Sequence, residues 1–214
     1  AALSDIAEVM LVGHANSSDE YCYALKGNKC RKMHTSRRDT FRPINCRPIA
    51  KIFPDGKIEK ISEFNMGGKG KTKIDAVFND KVALLKFYPG QDPKILDAFK
   101  GYKGIVIEMS GLGHVITEGK KNWIPKLKQL IGKSVVVCAA CQTLYGRLDP
   151  MIYSPGRELE KIGIIYLSDM LPETALVKLG YVLAKEKGKE GVKEAMLKNI
   201  AGEFNPRLGE DFLI

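Results

Sequence analysis

From about residue 81 the chain alternates between two textures. Val82–Phe87, Gly104–Met109 and Lys133–Ala139 are short, nearly unbroken apolar runs, the pattern of strands covered on both faces. Between and after them, apolar positions recur at helical spacing. Asp92-Pro93 is an N-cap followed by proline at the first helical position, which opens a helix over Lys94–Lys100. The same periodicity predicts helices over Asn122–Ile131, Pro155–Ile162, Pro172–Glu186 and Lys189–Ile200, with a loop-like tail over Glu203–Ile214. Strands alternating with helices predict an α/β fold whose sheet is parallel and doubly wound.

The first third is less regular. Ala1–Ala7 reads as the end of a helix, and Glu8–Gly13 and Tyr21–Lys26 as strands. Extended segments follow over Ile44–Phe53 and Lys57–Ile61, separated by the turn signal Pro54-Asp55-Gly56. Between the two groups lies a loop rich in Lys, Arg, Ser and Thr. Met66–Thr72 has the composition of a connection. The chain therefore divides into a domain over 1–65, a linker over 66–80 and a second α/β domain over 81–214. A strand at Glu8–Val12 needs neighbours that the first domain lacks, so that domain reads as incomplete, with edges open to aggregation. The sequence opens on Ala1-Ala2-Leu3 without Met, which points to a mature form or a fragment.

Composition narrows the class. Of 214 residues, 44% are hydrophobic and 28% charged, which suits a globular chain and excludes a disordered one. No apolar run reaches the roughly 18 residues of a membrane span, and no signal-peptide pattern opens the chain. Five cysteines, an odd number, do not make a disulfide scaffold, so a reducing cytoplasm fits. The formal charge is +9, and Lys26 to Lys73 alone holds 14 Lys and Arg against four acids. Such a concentration is either a face for nucleic acid or an acidic partner, or a solvated surface. Aromatic residues barely interleave with it, so stacking on single-stranded bases is not indicated.

Several stretches carry candidate chemistry. Ser110-Gly111-Leu112-Gly113-His114 follows a strand directly, where the ligand crevice of an open α/β sheet lies. Its glycines let backbone amides approach an anion, or simply make a tight turn. Cys138-Ala139-Ala140-Cys141 has redox spacing, but no helix follows to stabilise a thiolate, so buried thiols are the plainer reading. His14, His34 and His114 are scattered, and no set of Cys or His has metal-site spacing. Met66–Thr72 does not meet the phosphate-loop spacing. Tyr145-Gly146-Arg147 reads as a turn. Arg31-Lys32-Met33-His34-Thr35-Ser36-Arg37-Arg38-Asp39 is the densest polar stretch. A lysine among cations loses part of its preference for the charged form and can serve as a base. A solvated basic loop has the same residue types.

Lys29-Cys30-Arg31-Lys32-Met33-His34-Thr35-Ser36-Arg37-Arg38-Asp39-Thr40-Phe41, with Ile44-Asn45, resembles the asparaginase/glutaminase family, and within it the branch of archaeal glutamyl-tRNA(Gln) amidotransferases. Ser4–Val9, Tyr21-Cys22-Tyr23, Phe87-Tyr88-Pro89-Gly90, Gly101–Glu108, Gly111–Val115, Gln142–Arg147, Met170-Leu171-Pro172-Glu173 and Asn199–Glu203 extend the likeness over nearly the whole chain. It implies a two-domain asparaginase-like α/β fold that hydrolyses a side-chain amide through a threonine ester. A second threonine, an aspartate and a lysine handle protons, and Lys32 matches that lysine. Ser110, Gly111, Gly113 and His114 match a loop that approaches the active site of a neighbouring subunit. His114 stands where the simple asparaginases tend to have Asn.

The family's nucleophile lies in a Thr-Gly-Gly-Thr turn, and its second Thr and its Asp lie in Gly-Thr-Asp-Thr. Neither motif occurs in these 214 residues. Lys32 is thus the one catalytic side chain of four that is matched, and the chain alone is expected not to hydrolyse glutamine. The resemblance further implies a homodimer of the amidohydrolase (D) chains and a partner, the E subunit of the amidotransferase, which activates misacylated tRNA(Gln). ATP and Mg²⁺ would belong to that partner, with no cofactor or metal in this chain. A free-standing asparaginase and a non-catalytic assembly module that holds tRNA or protein are the rival readings.

Overall fold

A computed structural model describes residues 2–68 and 73–209, so Ala1, part of the Met66–Thr72 connection and the end of the tail lie outside it. The chain divides into two units, Ala1–Ile74 with Arg207–Ile214, and Asp75–Pro206.

The first unit contains six short strands: β1 (Met10–His14), β2 (Cys22–Lys26), β3 (Cys30–Lys32), β4 (Phe41–Pro43), β5 (Ala50–Ile52) and β6 (Ile58–Lys60). Antiparallel pairing gives one sheet in the order β1-β2-β5-β6, and β3 and β4 form a separate hairpin. Ala24, Ile49 and Ala50 are fully buried, with Ile6, Met10, Ile52 and Phe64 packed around them. Residues 2–7 are not helical, contrary to their alanine-rich composition. Ile6 bridges to Met66, and the Ala7 amide donates to Asn65 O at 2.8 Å. Tertiary pairing overrides a weak local propensity here. Of the extended stretch 44–53 only Ala50–Ile52 joins a ladder. Pro48 lacks the amide a ladder needs, and Asn45 turns the chain at φ +55°. β1 is an edge strand with β2 as its neighbour, and Val9 beside it is 89% exposed.

The second unit runs β7 (Val82–Lys86), β8 (Gly104–Met109), α1 (Ile124–Gly132), β9 (Val136–Cys141), α2 (Ser154–Lys161), β10 (Ile165–Tyr166), α3 (Pro172–Lys185) and α4 (Lys189–Leu197). All strand pairs are parallel, in the order β10-β9-β8-β7. Strand order that follows chain order puts each right-handed crossover on the same face. Accordingly Leu96, Leu127, Leu130 and Leu159 pack on Ile105, Ile107, Val137 and Ala139. After β10 the chain changes face, and Ala175, Leu179, Val182, Val192 and Met196 cover Val106, Cys138 and Ala140. The alternation along β8 and β9 is the period-two signature of strands covered on both sides.

Several boundaries differ from expectation, and one strand, β10, is new. The segment after Asp92 is a 3-10 helix over Pro93–Phe99, capped by Asp92 Oδ1 accepting from the Lys94 amide at 2.8 Å. β9 starts at Val136, because Lys133 closes α1 and Ser134 turns at φ +65°. β10 has only two residues, too few to show a period.

Candidate active site

Lys32 is the last residue of β3, opposite Phe41 of β4. Its side chain is exposed and enters no ion pair among the described residues. The hairpin that carries it is closed by its loop. The Met33 amide donates to Thr40 O at 2.7 Å, and the His34 amide to Thr40 Oγ1 at 3.1 Å. The Thr40 hydroxyl donates back to His34 O. His34 Nδ1 accepts from the amides of Ser36 and Arg37, both at 3.1 Å.

Asp39 sits at the centre of this loop, its side chain only 3% exposed. Arg37 grips it in a fork, Nε to Oδ1 at 2.8 Å and Nη2 to Oδ2 at 3.0 Å, and Arg42 Nη2 donates to Oδ2 at 2.5 Å. These bonds, the Arg37 pair foremost, hold the Asp39 carboxyl below the ordinary aspartate range. Arg42 Nη1 reaches on to Ala15 O at 3.0 Å, just beyond β1. Arg38 pairs with Asp19, and its Nη2 lies 2.8 Å from His14 Nε2. Three of the cations near Lys32 in sequence, Arg37, Arg38 and Arg42, are therefore committed to Asp39 and Asp19. Elsewhere in the basic segment Lys51 meets Glu59 at 3.4 Å and Lys60 meets Glu63 at 3.0 Å. Lys69 and Lys71 lie outside the described residues. Asp39 belongs to the densest polar stretch of the sequence, but nothing local in that stretch marks it as an ionic centre.

In the other unit, Ser110–His114 forms a tight loop at the carboxyl end of β8. The Ser110 amide and hydroxyl both donate to His114 O, at 3.1 and 3.0 Å, and the His114 amide returns a bond to Ser110 O at 2.9 Å. Gly111 and Gly113 take φ +52° and +106°. A Cβ on Gly113 would lie 2.5 Å from the Tyr166 ring, whose hydroxyl donates to Gly113 O at 2.8 Å. The His114 ring meets Tyr153 edge-on at 5.5 Å between centroids, and its Nε2 is buried without a partner among the described residues. Burial pushes the His114 imidazole below its usual range, so it is neutral near pH 7. Tyr166, also missed in the sequence, fixes the loop from below.

The remaining candidates behave as structural groups. All five cysteines are free thiols, and full burial pushes Cys138 up to about 12. Among the described residues no group of three or more His, Cys, Asp or Glu can hold a metal ion. Among them, too, no helix is long and apolar enough to cross a membrane. Arg147 anchors the end of the chain's second unit, donating to Asn205 O at 2.7 Å.

A family model, the glutaminase/asparaginase C-terminal domain, matches residues 81–196. The D subunit of glutamyl-tRNA(Gln) amidotransferase from Thermococcus kodakarensis is 50% identical over 208 residues, covering 96% of this chain and 46% of that protein. Its counterpart from Pyrococcus furiosus is 49% identical, again over 96% of this chain and 47% of its own length. The chain thus spans about half the length of the curated relatives it matches. Among solved structures, the thermostable L-asparaginase of Thermococcus kodakarensis superposes with a TM-score of 0.79 at 27% identity, over 86% of this chain and 56% of that one.

Proposed function

Because this chain belongs to the glutaminase/asparaginase family and has its α/β fold, we propose that it is the carboxy-terminal part of an amidohydrolase that frees ammonia from glutamine or asparagine. The ammonia would convert Glu-tRNA(Gln) to Gln-tRNA(Gln). The observation that carries this reading is the 50% identity, across 96% of the chain, to the D subunit of a glutamyl-tRNA(Gln) amidotransferase.

In the proposed reaction a threonine hydroxyl attacks the amide carbon, an ester forms, and the C–N bond breaks as its nitrogen takes up the hydroxyl proton and leaves as ammonia; water then cleaves the ester to the free acid and restores the hydroxyl. The amine of Lys32 takes part in moving the hydroxyl proton. Ser110, Gly111, Gly113 and His114 form the wall presented to the active site of a second copy in a homodimer. Neither threonine motif is among these 214 residues, so the chain by itself carries one of the four reacting side chains and releases no ammonia. A partner E subunit supplies the ATP- and Mg²⁺-dependent activation of the tRNA-bound glutamate.

The test compares ammonia release by the isolated chain and by the full-length amidohydrolase with its partner, with Lys32→Met in the latter. We expect no release from the chain, and a loss of about 10²-fold or more in kcat for the variant. Unimpaired release by Lys32→Met would overturn the role given to Lys32. The likeness to a solved L-asparaginase favours a second reading, a free-standing asparaginase; stimulation of ammonia release by tRNA would decide against it.

A further inference from the structure

We propose that Asp39 is a positioning residue for Lys32: it ties the hairpin that bears the amine to the sheet beside it, and so fixes where the amine is presented. This rests on the reading of Lys32 as a proton-handling group.

The Lys32 side chain is exposed among the described residues, and its Cα stands at the end of β3, opposite Phe41. Where the amine can reach is set by how that hairpin is held. That strand has three residues and pairs with three more in β4, a ladder too small to be stable alone. Beside the backbone bonds that close its loop, the Asp39 carboxylate braces it, gathering Arg37 from the loop and Arg42 from β4. Arg42 then extends the connection to Ala15 O beside β1.

Charge is essential to this junction. The side chains of Arg37 and Arg42 are 58% and 36% exposed, so without the anion both guanidinium groups have water as an alternative partner. Released, they would also repel each other and Lys32. A forked, charge-assisted contact fixes angle as well as distance, which a neutral amide cannot do with two guanidinium groups at once. Asp39 does not lie in a Gly-Thr-Asp-Thr stretch, so it is distinct from the aspartate that the family resemblance places among the reacting groups.

The experiment is a double-mutant cycle in the full-length amidohydrolase with its partner, using Asp39→Asn, Lys32→Met and the pair together. Asp39→Asn should lower kcat by about 10–100-fold, since a displacement near 1 Å costs that much, with KM for glutamine changed less than about threefold. Asp39→Glu should recover part of the loss. The double variant should be no slower than Lys32→Met alone, within about twofold, because Asp39 acts through the amine. Losses that multiply instead, or a wild-type kcat for Asp39→Asn, would overturn the proposal. An unimpaired Lys32→Met removes the reading beneath it, and the two failures are thereby told apart. If Asp39→Asn does not fold, Arg37→Gln at the exposed end of the fork gives the same cycle with a smaller loss, about 3–10-fold.

Discussion

Lys178 and Glu203 form an ion pair in which both side chains are almost fully buried, at 6% and 3% exposure. Lys178 Nζ donates to Glu203 Oε1 at 2.6 Å and to Lys198 O at 2.5 Å, and stands 4.9 Å from the Phe204 ring centroid. The Glu203 carboxylate also accepts from the amides of Ala201, at 2.6 Å, and Ile200, at 3.1 Å. Lys178→Met leaves that carboxylate buried with its two amides but no cation, and should cost about 3 kcal/mol. Glu203→Ala strands the ammonium and also frees two backbone donors, so about 4–5 kcal/mol is expected. At about 3–5 °C per kcal/mol for a unit of this size, Lys178→Met should melt roughly 9–15 °C lower. The only tryptophan, Trp123, is buried in this unit's core, so its fluorescence reports the transition directly. The double variant Lys178→Met/Glu203→Leu should lose much less than the sum, since no charge is then left stranded. Additive losses, or single variants that melt with wild type, would refute the electrostatic reasoning. The pH dependence has a definite sign. Burial alone would raise Glu203, but Lys178 and the two amides outweigh it and hold the carboxyl below its usual 4.5. Its stabilisation is therefore complete above 4.5 and lost as the pH falls through the lower folded value, a decline that Glu203→Gln should lack.

Gly113→Ala should destabilise the second unit by about 1–3 kcal/mol, because its Cβ meets the Tyr166 ring at a positive φ; urea unfolding followed by Trp123 measures it. Tyr166→Phe removes the hydroxyl bond to Gly113 O and should cost about 1 kcal/mol in the same assay, with no change meaning that water replaces the bond. Iodoacetamide at about pH 8 should leave Cys138 unlabelled in the folded protein, as mapped by peptide mass, since burial keeps its thiol protonated. The His114 imidazole should titrate below 6.5 by NMR, and a midpoint above that value would contradict the desolvation of its half-buried ring.

The second unit was legible where burial on both faces wrote itself as continuous apolar runs, as in β7, β8 and β9. β10 escaped because two residues have no measurable period. In the first unit, residues 2–7 pair with 65–66, and nothing local announces a partner some 60 residues away. The β3–β4 hairpin is hidden by its own charges: its arginines and lysine read as a solvated loop, because Asp39, the anion that gathers Arg37 and Arg42, becomes buried only on folding. The Ser110–His114 loop was found from position alone, at the end of a strand. Lys32 was singled out by resemblance, since a basic loop that reacts and one that merely dissolves share the same composition.

Because β7 to β10 stand side by side in the order in which they occur in the chain, assembly of the second unit never has to wait for a distant strand. Each strand finds its neighbour already in place, across one short crossover, so the sheet can grow from β7 outward while the rest of the polypeptide is still being synthesised. The face covered by α3 and α4 closes afterwards, and its last fastening, Glu203 onto Lys178, joins positions only 25 residues apart. A topology of this kind keeps every pairing as local as a parallel sheet allows and suits assembly that proceeds from the amino-terminal side.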